Sequence, residues 1–181
     1  MLTTERFYNE PNLEVMSKAN CHPNFLKLCT APFYYDLEDP LSPFGNDYGS
    51  DHLFYLEEWY QTRNEPSNPM RWMFKTINEY GFKFTAEAVS KIVDENMLHE
   101  IQEVDPGFLD ALDHTIIATG LGQLKITGKI DQILLGLSLI AVERQLYLKI
   151  LQPQAVSNLE VMKRDFLRVD KRMIEPSLRV E

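Results

Sequence analysis

The strongest constraint in the sequence is the stretch from Thr127 to Pro153. Ile130, Ile133, Leu134, Leu137, Ile140, Ala141 and Leu148 recur there at helical spacing. Leu135, Leu139 and Val142 put apolar side chains on the other side as well. A helix over about 128–151 is therefore expected to be surrounded by protein on most sides. Thr127 is its expected cap and Pro153 its stop. The apolar-rich run inside it, Ile133 to Val142, lies between Asp131 and Glu143 and is too short to span a bilayer.

A helix wrapped in this way needs partners, and the remaining punctuation supplies more helices. Residues 10–19 form a short one after Glu10-Pro11, ended by His22-Pro23, and Asn24 to Cys29 forms a second. Ser50 or Asp51 caps a helix to about Thr62. Asn68-Pro69 starts another that stops at Gly81, with Met70, Met73, Phe74 and Ile77 on one face. Thr85 caps a helix whose buried stripe is Val89, Ile92 and Val93, extended by Met97. Asp105-Pro106 starts one carrying Leu109, Leu112 and Ile116, and Gly120 ends it. The Ser157-x-x-Glu160 capping box opens the last helix. Leu159, Met162, Phe166, Val169 and Met173 then form a seam with steps of three and four, ended by Pro176. A seam this short does not make an independent coiled coil, so it is expected to pack within the chain. A homodimer through residues 159–173 is the alternative.

Strand signals are confined to Phe33–Tyr35 and Gln123–Thr127, and the second lies between glycines and reads better as a connection. The expected fold class is all-α. It is a compact single-domain bundle of about six to seven helices over residues 1–181, with an irregular loop near residues 30–50 and a loose tail at 176–181.

The chain has 181 residues, of which 44% are hydrophobic and 25% charged, enough apolar material for one core. Its formal charge is -9, which disfavours nucleic acid and anionic membranes as partners and is compatible with a basic protein. Cys21 and Cys29 are too far apart for a CxxC motif and read as free thiols of a reducing compartment. The N-terminal residues lack a basic region followed by an apolar run, so no secretory signal is expected and the expected location is cytoplasmic.

The candidate catalytic motifs of the sequence fail in detail. In GLGQLKITGK, Gly120 to Lys129, the glycine spacing is wrong for a phosphate loop and Ile130 stands where Ser or Thr is needed. No GxSxG elbow is present. Among the histidines, His99 lies near Glu95 and Glu100, and His114 near Asp110. Two such helices side by side would assemble a His–carboxylate metal site from His99, Asp110 and His114, which is the enzyme alternative. No cofactor is expected otherwise, and the balance leans to a non-enzymatic protein.

The most distinctive window is Leu28 to Thr62. It has no Lys or Arg and seven carboxylates, Asp36, Glu38, Asp39, Asp47, Asp51, Glu57 and Glu58. It also holds nine of the 20 aromatic residues. Phe44, Leu53, Leu56 and Tyr60 suit a core, but aromatic residues at 54, 55, 59 and 60 wrap more than one face of a helix. Rings beside carboxylates suit a protein-binding surface that meets Arg or Lys. The expected contact residues are Asp36, Glu38, Asp39, Asp47, Tyr48, Asp51, Tyr55, Glu57, Glu58 and Trp59.

Within it, PFGNDYGSDHLFYLEEW, Pro43 to Trp59, resembles a Pro-Phe-x-Asn-Asp segment followed by an Asp-capped helix in small bacterial proteins of toxin-immunity type. The shared chemistry is that of a turn and a helix cap. The resemblance implies a cytoplasmic inhibitor that neutralises a basic partner, such as a nuclease toxin, and it carries over no catalytic residue.

Overall fold

The computed structural model describes residues 5–10, 16–63 and 68–176. Residues 11–15 of the expected 10–19 helix, and the expected loose tail beyond Pro176, lie outside them. The fold is all-α. The described residues form eight α-helices: α1 (Pro23–Leu28), α2 (Asp47–Gln61), α3 (Met70–Glu79), α4 (Ala86–Val89), α5 (Glu95–Val104), α6 (Phe108–Thr127), α7 (Gln132–Leu148) and α8 (Pro153–Leu167). One small parallel pairing joins β1 (Ile130–Asp131) to β2 (Ile174–Glu175), with Ile130 opposite Ile174. No helix among the described residues is long and apolar enough to cross a membrane.

The central element is α6. It packs against α1, α2, α3, α5 and α7, while α8 lies on α7. Nearly every residue of α6 from Phe108 to Ile126 is buried, including Thr115, Thr119 and Gln123. The expected stop at Gly120 is therefore wrong, and so is a connection or strand over 123–127. Gly120 and Gly122 are close-approach positions inside the helix. A Cβ on Gly120 would lie 2.4 Å from Ser138 Oγ of α7, and one on Gly122 would lie 2.7 Å from Leu56 Cδ2 of α2. The missing side chains let two neighbouring helices draw close, which offsets the low helix propensity of glycine. The stop is Gly128, in the left-handed region at φ 71°.

Other boundaries shift for equally local reasons. Asp131, not Thr127, caps α7, accepting hydrogen bonds from the Ile133 and Leu134 amides at 2.8 and 3.1 Å. Thr127 instead bonds back to the Gln123 carbonyl at 2.8 Å. The helix expected from Thr85 through Met97 is two, because Asp94 caps a fresh start at α5 by accepting from the Met97 amide. Val93 and Met97 are exposed rather than buried. Pro153 occupies the first turn of α8, so Ser157 lies inside that helix instead of capping it. The Leu159, Met162, Phe166 and Met173 seam is buried in the main core, which removes it as an open homodimer face.

Among the polar ties that cross this core, two govern the stability expected below. Arg144 on α7 donates through Nε to Asp113 Oδ1 on α6 at 3.0 Å, and its Nη2 bonds the same carboxylate. Its Nη1 donates to the Val89 and Ile92 carbonyls, pinning the link from α4 to α5. The other tie is His52 on α2. Thr119 Oγ1 lies 2.8 Å from His52 Nε2 and donates its only proton to the Thr115 carbonyl at 2.7 Å. Nε2 must then carry the ring proton, leaving Nδ1 bare, buried and without a partner among the described residues.

Burial lowers the His52 pKa from 6.5 to about 3. The folded state thus refuses a proton that the unfolded chain accepts. His52 contributes stability that is complete above about pH 6.5 and is lost as the pH falls towards about 3. The expected loss is about 1.4 kcal/mol per pH unit in that window. Burial also lowers His22 and His114, which steepens the same limb. Urea unfolding from about pH 7 to about pH 4 should show this slope, and His52→Phe should reduce it by about one proton. An unchanged slope would place the acid sensitivity elsewhere.

Candidate functional site

The start of α2 is built by the loop before it. Asn46 is the N-cap, accepting from the Gly49 amide through Oδ1 at 2.9 Å and donating through Nδ2 to the Ser42 carbonyl at 2.9 Å. Phe44 is fully buried and anchors the loop. Gly45 and Gly49 sit where the chain closes on itself. A Cβ on Gly49 would lie 2.0 Å from the Pro43 carbonyl oxygen, and one on Gly45 would lie 2.1 Å from that of Asp39. The Pro43-to-Gly49 motif is thus a backbone device that aims α2, and the helix begins at Asp47 rather than at the expected Ser50 or Asp51 cap.

The expected contact residues separate into three groups. Asp36 and Asp39 hold the loop: Asp36 Oδ1 accepts from the Glu38 and Asp39 amides, and Asp39 Oδ1 from the Leu41 amide. Glu38 is exposed beside them. Glu57 is the correction. It is buried and paired with Lys125 of α6, because position 57 shares the inward side of α2 with Leu53 and Tyr60. It is no part of an outward surface.

The third group forms a stripe. At about 3.6 residues per turn, positions 47, 51, 54, 55 and 58 share one side of α2. Asp47, Asp51, Phe54, Tyr55 and Glu58 are all exposed. Phe54 is 58% and Tyr55 51% exposed, and their rings meet edge to face at 5.4 Å. Asp47, Asp51 and Glu58 make no ion pair with a described residue. Tyr48 flanks the stripe, half-buried against the ring of Tyr80 at 5.8 Å. Trp59 lies round the other side, beneath the Arg63 guanidinium at 4.1 Å and beside Trp72. Phe54, the most exposed ring of the helix, was not among the expected contacts. Its place in the same helical side as the carboxylates was the available signal.

The histidine alternative does not assemble. Among the described residues no three His, Cys, Asp or Glu side chains gather as a metal site. His99 Nε2 lies 2.9 Å from the Tyr147 hydroxyl, His114 Nδ1 is 3.5 Å from Asn46 Nδ2, and Asp110 pairs with Lys149 at 3.2 Å.

No family model matches the chain. No solved structure matches it. The chain is similar to uncharacterized protein YfeS of Escherichia coli (strain K12), at 32% identity over 153 residues. Those residues are 82% of this chain and 60% of the relative, so the chain spans about three fifths of that relative's length. The similarity brings no activity with it.

Proposed function

We propose that the protein is a non-enzymatic cytoplasmic binding protein, and that it neutralises a basic protein partner, such as a nuclease toxin, through the outward stripe of α2. The single observation that carries this reading is the coincidence on α2 of exposed rings with carboxylates that make no ion pair with a described residue. Phe54 and Tyr55 supply large contact area at small entropic cost. Asp47, Asp51 and Glu58 surround them with negative charge and no cation of α2 to cancel it. Such a field accelerates encounter with a positive partner and selects its orientation. An immunity or antitoxin-like role is the most specific form of the proposal, and it draws on the Pro43-to-Trp59 resemblance.

The test is affinity capture with the intact protein as bait, at low and moderate salt, set against an Asp47→Lys/Asp51→Lys/Glu58→Lys variant. Thermal melts would first confirm that the variant folds. The wild-type chain should retain a basic protein, salt should weaken the complex, and the variant should lose it. Phe54→Ala or Tyr55→Ala should each cost about 2 kcal/mol of binding if the rings lie at the centre of the contact. Capture indifferent to the charge reversal would sink the proposal.

A further inference from the structure

A buried ion pair is stable only when its remaining hydrogen-bonding capacity is filled. Lys125 of α6 is fully buried and Glu57 of α2 nearly so. What completes them is main chain from residues 5–10. Lys125 Nζ donates to the Phe7 carbonyl at 3.5 Å, and the Asn9 amide donates to both Glu57 oxygens at 3.3 and 3.2 Å. The Phe7 amide donates to the Ile126 carbonyl at 2.9 Å.

The side chains of this strap are read at three points, one of them Tyr8, which packs against the cluster of Leu56, Tyr60 and Ile126. Arg6 stands at the C-terminal end of α2, where its guanidinium donates to the Tyr60 and Arg63 carbonyls and lies 5.3 Å from the centre of the Tyr60 ring. Helix-end carbonyls and a ring face together select a guanidinium. Phe7 sets its ring edge-on to His22 at 5.3 Å. None of residues 5–10 is buried, whereas Glu57, Tyr60, Lys125 and Ile126 beneath them all are. The floor belongs to helices, and the strap lies on it.

We propose that this groove between α2 and α6 is a peptide-binding site filled in cis by residues 5–10, and that in trans it takes an extended segment of a protein partner with arginine followed by an aromatic residue. Three contacts read only backbone, as in recognition of an extended strand, and the arginine seat supplies the sequence preference. The site is independent of the outward stripe of α2. Because the cis strap is tethered, it competes at an effective concentration of about millimolar, so trans binding requires the strap to open first.

Two measurements test this on the intact chain. Hydrogen exchange should show the Phe7 and Asn9 amides opening about a hundredfold faster than amides in the middle of α6. A fluorescent peptide of the strap sequence, Glu-Arg-Phe-Tyr-Asn-Glu, should bind an Arg6→Ala chain about tenfold more tightly than the wild-type chain. The same peptide with alanine in place of arginine should bind neither. Strap amides that exchange only with global unfolding would overturn the proposal. So would absence of peptide binding to an Arg6→Ala chain that retains its helical circular dichroism. Should that variant not fold, the exchange result on the wild-type chain decides alone.

Discussion

Arg144→Met is expected to lower the unfolding free energy by about 3–5 kcal/mol. The guanidinium is 1% exposed and the Asp113 carboxylate beneath it is fully buried. Methionine fills much of the volume, so the loss arises chiefly from stranding Asp113. Gln145 Nε2 remains as its neighbour, donating at 3.0 Å, but it is neutral. The Val89 and Ile92 carbonyls lose their donor at the same time, and with it goes the tie that holds the α4–α5 link. For a chain of this size the midpoint of thermal unfolding should fall by about 10 °C. Adding Asp113→Leu should recover much of the loss, since removing both charges leaves no uncompensated ion. A single variant within about 1 kcal/mol of wild type, measured by urea unfolding, would mean that water reaches Asp113.

Lys125→Met is expected to cost about as much, roughly 3–5 kcal/mol, with a different signature. Glu57 loses its cation inside the α2–α6 contact, and the Phe7 carbonyl loses its donor. Damage should therefore spread to the strap, and protease cleavage near residues 5–10 should accelerate more than the global loss explains. Lys125→Met/Glu57→Leu should regain stability while leaving the strap loose, because the Asn9 amide no longer finds its carboxylate. A strap as protected in the double variant as in wild type would show that the ion pair does not hold it.

The contrast between these two sites and the outward stripe shows how much could be read along the chain. Buried positions of α3, with Met73 and Ile77 inward, follow from spacing, because a helix places residues three and four apart on one side. The acidic aromatic window is a matter of composition and is equally plain. The charge of Glu57 favours the surface, whereas its phase on the helix places it inward. Leu53, Leu56 and Tyr60 already mark the inward side of α2, and 57 lies among them. Tolerating a carboxylate there needs a cation from elsewhere, and Lys125 is 68 residues away. Gly120 and Gly122 misled in the same way. Glycine stops a helix when the chain must turn and continues it when another helix must come near, and the local sequence is the same in both cases.

By itself, then, the sequence determined the all-α class, the anchoring of the loop at Phe44 and the excess of negative charge near α2, but it placed the most enclosed helix at 128–151, where α7 leaves Ile133 45% exposed, and not at α6. Each depends on neighbours within a few turns, where the helical repeat dictates which side chains coincide. Only the tertiary structure decided which carboxylates face outward, which glycines are contacts and what lies over Lys125. Those depend on pairs distant along the chain, whose meeting is set by packing around α6 and leaves no periodic trace in the residues themselves.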